Sequence, residues 1–465
     1  MDHTSLVELL TQTATEISRW ESALPLFTPD ESLSVSDADA RAALALLTER
    51  LHENYPFFHP RYAGQMLKPP HPIAVAAYAT AMLINPNNHA LDGGPATARM
   101  ELEAVGQIAR MFGYDRHLGH LTSGGTMANI EALWVARSLH PGKAVAFSSA
   151  AHYTHKRMCG VLEIPFREIP VNTAGKMDLQ ALEDAFESGE IGTVVATIGT
   201  TSLGAVDPLD TIVPLAQKFG VRVHADAAYG GFFMLNAATR TPLIDPIPFL
   251  SLRECDSIVV DPHKHGLQPY GCGCVLFRDP SVGALYKHDS PYTYFTSKDL
   301  HLGEISLECS RAGASAAALW CTLQCLPLEP ERGLGAVIAA TRQAALDWQQ
   351  RAQKSSAIIP YSNPDLDIVT YFPAVHPFTA SAVTNAAQTV FKTLMERPAD
   401  PIYLAMLTVD SASIRAAYPS FECDRATTTI IRSVLMKPEH RTFVPMLFDE
   451  IESLIGTLIS GDPKG

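Results

Sequence analysis

What the sequence has little of narrows it first. Its 465 residues include only eight cysteines, Cys159, Cys255, Cys272, Cys274, Cys309, Cys321, Cys325 and Cys423, too thinly spread for a disulfide framework. Cys272 and Cys274 stand together in GCGC, but thiolate zinc sites use two spaced pairs, so no metal is expected. No apolar run is long. The longest, Ile73 to Ile84, has 12 residues between Pro72 and Pro86, well short of the roughly 20 that span a bilayer; it reads as a buried helix. The first 20 residues have neither the basic n-region nor the apolar h-region of an export signal, so the expected location is cytoplasmic and no membrane partner is expected. Basic residues are outnumbered, 35 Lys and Arg against 49 Asp and Glu for a net charge of −14, and they form no run. That excludes polyanion neutralisation, and with it nucleic acid as an expected partner, while a local pocket can still take a small anion. Repeats and low-complexity tracts are also missing, which removes collagen-like and disordered classes.

The length exceeds what one hydrophobic core usually organises, so two or three packed units are expected. From about Met66 to Leu326, short β-branched runs alternate with longer amphipathic ones, the pattern of βαβ units building a parallel sheet. In the clearest unit, Ile191 to Ile198 is a strand, and Asp207 and Pro208 are an N-cap and first helical residue. Leu209, Ile212, Val213, Leu215, Ala216 and Phe219 then form a helix face, Gly220 a C-cap, and Val221 to Ala225 the next strand. Ser257 to Val260 and Cys274 to Phe277 are further strands. LPLEPERGLG, ending at Gly335, interrupts the pattern. The expected division is a helical arm over 1–65, a large domain over 66–330 and a smaller α+β domain over 331–465, opened by a helix from about Ala336 to Ala352.

Ligands of open α/β sheets sit at the carboxyl ends of strands. Three places there carry chemistry: Asp226 ends VRVHAD, Lys264 follows SIVVDPH, and Thr200 and Thr201 follow VVATIG. A fourth is HLTSGGTMANIEALWVAR, where Ser123, Gly124, Gly125 and Thr126 precede an amphipathic helix. Glycines admit an anion close to backbone N–H groups, and the helix N-terminus adds partial positive charge, although a plain turn capping a helix reads equally simply. Each of the other residues also has a bland rival, such as a surface lysine or a turn aspartate. Together they ask for one ligand with a phosphate, a basic ring nitrogen and a carbonyl that a lysine can capture. Pyridoxal phosphate has all three.

With these residues in view, the chain resembles the group II pyridoxal-phosphate decarboxylases of the aspartate aminotransferase (type I) fold, and within them the tyrosine decarboxylase branch. The resemblance rests on HPRYAGQM (59–66), NPNN (85–88), GGPAT (93–97), HLTSGGTMAN (120–129), AHYTHK (151–156), IGTT (198–201), HADAAYGG (224–231), VDPHKHGLQPYGCG (260–273), ECSRAGASAAALW (308–320) and IRSVLMKP (431–438), in that order. It implies an α/β fold with a mainly parallel central sheet flanked by helices. It also implies that Lys264 is the aldimine lysine and later a proton carrier, that Asp226 pairs with the ring nitrogen, and that His152 and Ala228 pack on the two ring faces. Ser123, Gly124, Gly125 and His263 would hold the phosphate, and Thr200 would lie near the ring's 3-hydroxyl. Arg432 would take the substrate α-carboxylate, a bidentate job suited to a guanidinium. Tyr62 and Gln65 would line the substrate pocket from the neighbouring subunit of a homodimer. Tyr292, on the segment 286–304, would donate a proton, with Tyr294 the other candidate; this segment is shorter than the family usually has. The implied reaction is decarboxylation of an L-amino acid to an amine and CO2. Since no Arg or Lys cluster marks a site for an acidic side chain, an aromatic, tyrosine-like substrate is favoured. Another type I lyase or aminotransferase, an acidic substrate, and a non-catalytic cofactor-binding protein are the alternatives.

Overall fold

The computed structural model describes residues 3–287 and 305–460. Seven strands form the central sheet: β1 (Leu118–Thr122), β2 (Ala144–Ser148), β3 (Phe166–Ile169), β4 (Ile191–Thr197), β5 (Arg222–Asp226), β6 (Ser257–Val260) and β7 (Gly273–Phe277). Their order is β1-β7-β6-β5-β4-β2-β3; β7 runs against both its neighbours and the other pairs are parallel. Every residue of β4 is buried, as a near-continuous apolar run should be when helices cover both faces of a parallel sheet. The helices Pro95–Met111, Gly125–Leu139 and Leu209–Phe219 supply part of that cover. After a two-stranded hairpin, β8 (Leu328–Glu329) and β9 (Arg332–Gly333), the Leu334–Ala352 helix leads into a second sheet. This sheet contains β10 (Ile358–Pro360), β11 (Ile368–Pro373), β12 (Ala405–Asp410) and β13 (Thr427–Val434), antiparallel in the order β10-β11-β13-β12. The largest core cluster crosses residue 330, because Leu334, Ile338, Leu366, Ile368, Val434 and Met436 pack with side chains of the seven-stranded sheet. Among the described residues no helix is long and apolar enough to cross a membrane.

Two local expectations need correction. The helix after β4 begins at Leu209 with Pro208 at its N-cap, so Asp207 is not the cap. Asp207 is fully buried, and its two oxygens accept the Met177 and Thr197 amides at 2.7 Å each, pinning two segments that a helix cap would leave apart. Burial pushes its carboxyl up to about 6, against the pull of those two amides. Gly220 does close the helix in the left-handed region, with φ 66°. The apolar run at 73–84 forms a helix, Pro72–Met82, but only Ala74, Ala76 and Ala81 are buried in one chain. Met82, Leu83 and Ile84 face outward, Met82 at 57% exposure.

One buried polar cluster holds the glycine-rich turn in place. Glu101 accepts Arg311 Nη1 at 2.6 Å and the Leu121 amide at 2.9 Å on one oxygen, and Asn88 Nδ2 at 2.6 Å on the other. Thr97 Oγ1 donates to Asn88 Oδ1 at 2.6 Å. The motifs NPNN, GGPAT and ECSRAGAS thus meet behind the end of β1. Removing one partner of such a pair leaves a buried charge unmatched, so Glu101→Ala is expected to lower stability by about 3–5 kcal/mol. Urea unfolding checks this, and a midpoint equal to that of the parent chain would refute it.

Candidate active site

Five chain segments leave the carboxyl ends of β1, β2, β4, β5 and β6 and converge on a cavity of about 280 Å³. Ser123, Gly124 and Gly125 line it from β1, His152 from β2, Gly199 and Thr201 from β4, Asp226 and Ala228 from β5, and Asp261, His263 and Lys264 from β6. Eight of the sequence-derived candidates therefore share one wall: Ser123, Gly124, Gly125, His152, Asp226, Ala228, His263 and Lys264.

The turn after β1 is packed so closely that side chains are excluded. A Cβ on Gly125 would lie 2.6 Å from Asp261 Oδ2, and one on Gly273 would lie 2.5 Å from the Gly124 carbonyl carbon. The turn opens the Gly125–Leu139 helix, whose free N–H groups and dipole favour an anion. The chain itself already places one there: the Ser123 amide donates to Glu308 Oε2 at 2.9 Å. His263 Nδ1 lies 2.9 Å from the Cys272 carbonyl, which can only accept, so that nitrogen carries the proton and Nε2 is left for the cavity side or for Asp261 Oδ2 at 3.5 Å.

Asp226 ends β5 with both oxygens engaged. Oδ2 meets His155 Nε2 at 2.8 Å, and Oδ1 accepts the Ala228 amide at 3.2 Å. Burial alone would raise this carboxyl, but the His155 hydrogen bond and charge, followed by Lys264 and His224, outweigh it and hold it well below the usual carboxylate range. Beside it, His224 is pushed down to about 3 by burial first and by His155 second. It is therefore neutral, bridging Ser257 Oγ at 2.9 Å and Asn129 Oδ1 at 2.8 Å. Lys264 Nζ sits 3.0 Å from Asp261 Oδ2 with its side chain 22% exposed, reachable from the cavity. His152 Nδ1 is tied to Thr154 Oγ1 at 2.7 Å, which fixes the ring, and burial lowers its pKa toward the neutral form suited to stacking.

Other candidates fall elsewhere. Thr200 is buried, and its Oγ1 accepts the Ala205 amide at 3.1 Å and the Leu203 amide at 3.4 Å, closing the turn after β4. The residues of that turn lining the cavity are Gly199 and Thr201. Arg432, on β13, is buried with Nε and Nη2 unbonded, while Nη1 reaches the Gly64 carbonyl at 3.4 Å and Gln65 Oε1 at 3.5 Å. Burial, the first of several influences, lowers its pKa. Tyr62 is buried close by, and its Oη accepts the Gln65 amide at 3.3 Å. Gln65 thus reaches Arg432 within one chain, and Tyr62 is near enough to act on its charge, whereas the resemblance implied that both line the pocket of the neighbouring subunit. Tyr229 links the two groups: it lines the Lys264 cavity, and its hydroxyl donates to Asp367 Oδ1 at 2.5 Å, with Asp367 in turn among the charges acting on Arg432. Tyr292 and Tyr294 lie outside the described residues. Sequence reasoning missed Asp261, His155 and Asn129. Asp261 follows a strand in VDPHKH and could have been found by the rule that found Asp226; His155 and Asn129 had no comparable signal.

This wall suits pyridoxal phosphate on its own chemistry. Backbone donors at a helix end meet a phosphate, a carboxylate kept ionised meets a protonated ring nitrogen, and a reachable amine meets an aldehyde. Comparison with known proteins agrees. The pyridoxal-dependent decarboxylase conserved domain matches residues 30–359. A probable L-tyrosine/L-aspartate decarboxylase of Methanoculleus marisnigri is 30% identical over 315 residues, 66% of this chain and 80% of that protein. The L-tyrosine decarboxylase of Enterococcus faecium is 28% identical over 417 residues, 67% of this chain and 68% of that protein. In fold, the chain matches Oryza sativa TDC, solved with PLP and tryptamine, at a TM-score of 0.77 and 18% identity, over 98% of this chain and 99% of that one. A match spanning the strands, the turn and the lysine at once has one reading: the chain belongs to the pyridoxal-dependent decarboxylase family and is a pyridoxal-phosphate-dependent carboxy-lyase acting on amino acids.

Proposed function

We propose that this enzyme decarboxylates an aromatic L-amino acid, tyrosine foremost, to its amine and CO2. The observation behind the preference is charge: the sequence has no Lys or Arg cluster, and among the described residues of the Lys264 cavity no other lysine or arginine stands on the wall. The Enterococcus faecium relative, named for tyrosine, supports the same reading, while the Methanoculleus marisnigri relative is named for both tyrosine and aspartate.

Bound against this wall, pyridoxal phosphate supplies an aldehyde for the substrate nitrogen and an electron sink for the pair left when CO2 departs. The remaining work falls to the chain. Ser123, Gly124 and Gly125 would hold the phosphate through hydroxyl and backbone donors, the Ser123 amide exchanging Glu308 for it, and His263 would donate from Nε2 on taking a second proton beside that anion. Asp226, oriented by His155, keeps a proton on the ring nitrogen. His152 and Ala228 bracket the ring, and Lys264 Nζ carries protons, with Asp261 Oδ2 at 3.0 Å to receive or return one. Arg432 presents Nε and Nη2, a planar fork matched to an α-carboxylate, and Gln65 and Tyr62 steady it. By holding that carboxylate in place, the fork would favour its loss over loss of the Cα proton. Thr201 and Gly199, which line the cavity where Thr200 does not, would take the place proposed for Thr200 beside the cofactor, and Tyr292 is the proposed late proton donor.

We also propose the division at residues 65 and 330, and a homodimer closed by the arm. Leu26, Phe27 and Leu33 on the arm stand 96%, 84% and 75% exposed, and Met82, Leu83 and Ile84 are also left open. Sedimentation should give twice the chain mass, with a monomer refuting the dimer.

The test is CO2 release from a panel of L-tyrosine, L-phenylalanine, L-tryptophan, L-aspartate and L-glutamate. Tyrosine should have the highest kcat/KM; aspartate leading the panel would overturn the aromatic reading. In parallel, Arg432→Met removes charge-assisted bonds worth about 2–3 kcal/mol, so kcat/KM for the preferred substrate should fall roughly 30- to 150-fold. An unchanged kcat/KM would reject the carboxylate role.

A further inference from the structure

A second cavity, of about 550 Å³, lies behind the substrate wall and shares no lining residue with the Lys264 cavity. Its floor is apolar, with Val75, Leu267, Leu326 and Val337, and two lysines, Lys68 and Lys437, enter it together. Among the described residues neither lysine has a carboxylate within ion-pair distance, although Lys437 is only 2% exposed. An ammonium group has three donors. Lys68 spends one on the Met436 carbonyl at 3.1 Å; Lys437 spends two, on Tyr62 O at 2.6 Å and on Leu67 O at 3.4 Å. Donors remain on both. The other ionisable groups at the cavity are Glu439, one negative charge against two positive, and His71. The His71 Nδ1 accepts the Ile73 amide at 3.2 Å, so its Nε2 carries the proton.

Withdrawing an ammonium from water without a counter-charge is costly, and two side by side cost more. An apolar pocket with a few convergent donors is the usual form of a small-molecule site. We propose that this cavity binds a small amphiphilic organic acid, its carboxylate between Lys68 and Lys437 and its hydrocarbon part against Val75 and Val337. Burial lowers Lys68 to about 8, and burial followed by the charge of Lys68 lowers Lys437 to about 7; a bound anion relieves both. The site adjoins the catalytic centre without belonging to it. Lys437 Nζ lies 5.1 Å over the Tyr62 ring, and Lys68 acts electrostatically on Asp367, the acceptor of Tyr229.

The test is calorimetric titration of sodium octanoate into the pyridoxal-phosphate-loaded enzyme, with octan-1-ol as the uncharged control. Saturable binding of one octanoate per chain is expected, at least tenfold tighter than octanol. Lys68→Met, which keeps the stem and removes the charge, should weaken it at least tenfold. Val337→Phe, which fills the cavity and leaves both lysines, should do the same and decides the matter if the lysine variant does not fold. No saturable heat with the parent enzyme, equal binding of octanol, or parent affinity in either folded variant would overturn the proposal. Because the readout is heat and not turnover, its failure leaves the decarboxylase reading untouched.

Discussion

Lys264→Ala is expected to lose amine formation by roughly 10³-fold or more, together with the visible absorbance that borohydride bleaches in the parent enzyme. Lys264 is the sole amine on the described cavity wall and sits 3.0 Å from Asp261 Oδ2, so the variant removes both the anchor for an aldehyde and a proton carrier. General acid–base catalysis alone contributes on the order of 10²–10⁴. The fold should survive, because a lysine in a cavity leaves few packing contacts behind. Absorbance and product assays on the same preparation check the claim. A variant that keeps the parent band and rate would show that another lysine does the work.

Asp226→Asn should be nearly as damaging, with a loss of about 10²–10³, the scale of one preorganised electrostatic contact. The substitution preserves shape but ends the negative charge that His155, Lys264 and His224 keep ionised against burial. An amide nitrogen facing the ring nitrogen cannot hold a proton there. His155→Leu acts one step back, removing the 2.8 Å bond that orients Oδ2, and should cost about tenfold by leaving the carboxylate free to turn. Cofactor retention through gel filtration is the second readout. It should weaken in the order parent, His155→Leu, Asp226→Asn, and equal retention in all three would separate Asp226 from the cofactor.

The sheet was legible because β4 is a short, mostly apolar run, Gly220 separates the helix after it from β5, and chemistry collects at strand ends. The reversed direction of β7 was not, since side-chain alternation is the same whichever way a strand runs. At Asp207 the capping pattern was real in the residues but was overridden by two buried amides that only the fold brings near. The choice between Thr200 and Thr201 depends on the turn at Gly199, where φ is 97°, and adjacent hydroxyls give no hint of which one faces inward. His155 meets Asp226 across 71 residues of sequence, and Gln65 meets Arg432 across 367, distances over which local patterns carry no information. The exposed end of the Pro72–Met82 helix looked like core because an apolar run has the same composition whether the fold buries it or leaves it exposed.

The central claim is tested most directly by giving the loaded enzyme L-tyrosine labelled at its carboxyl carbon and following CO2, tyramine and the corresponding keto acid together. The account predicts labelled CO2 and tyramine in equal amounts, matching the tyrosine consumed. Keto acid and a transferred amino group with the label still in the carboxylate would contradict it.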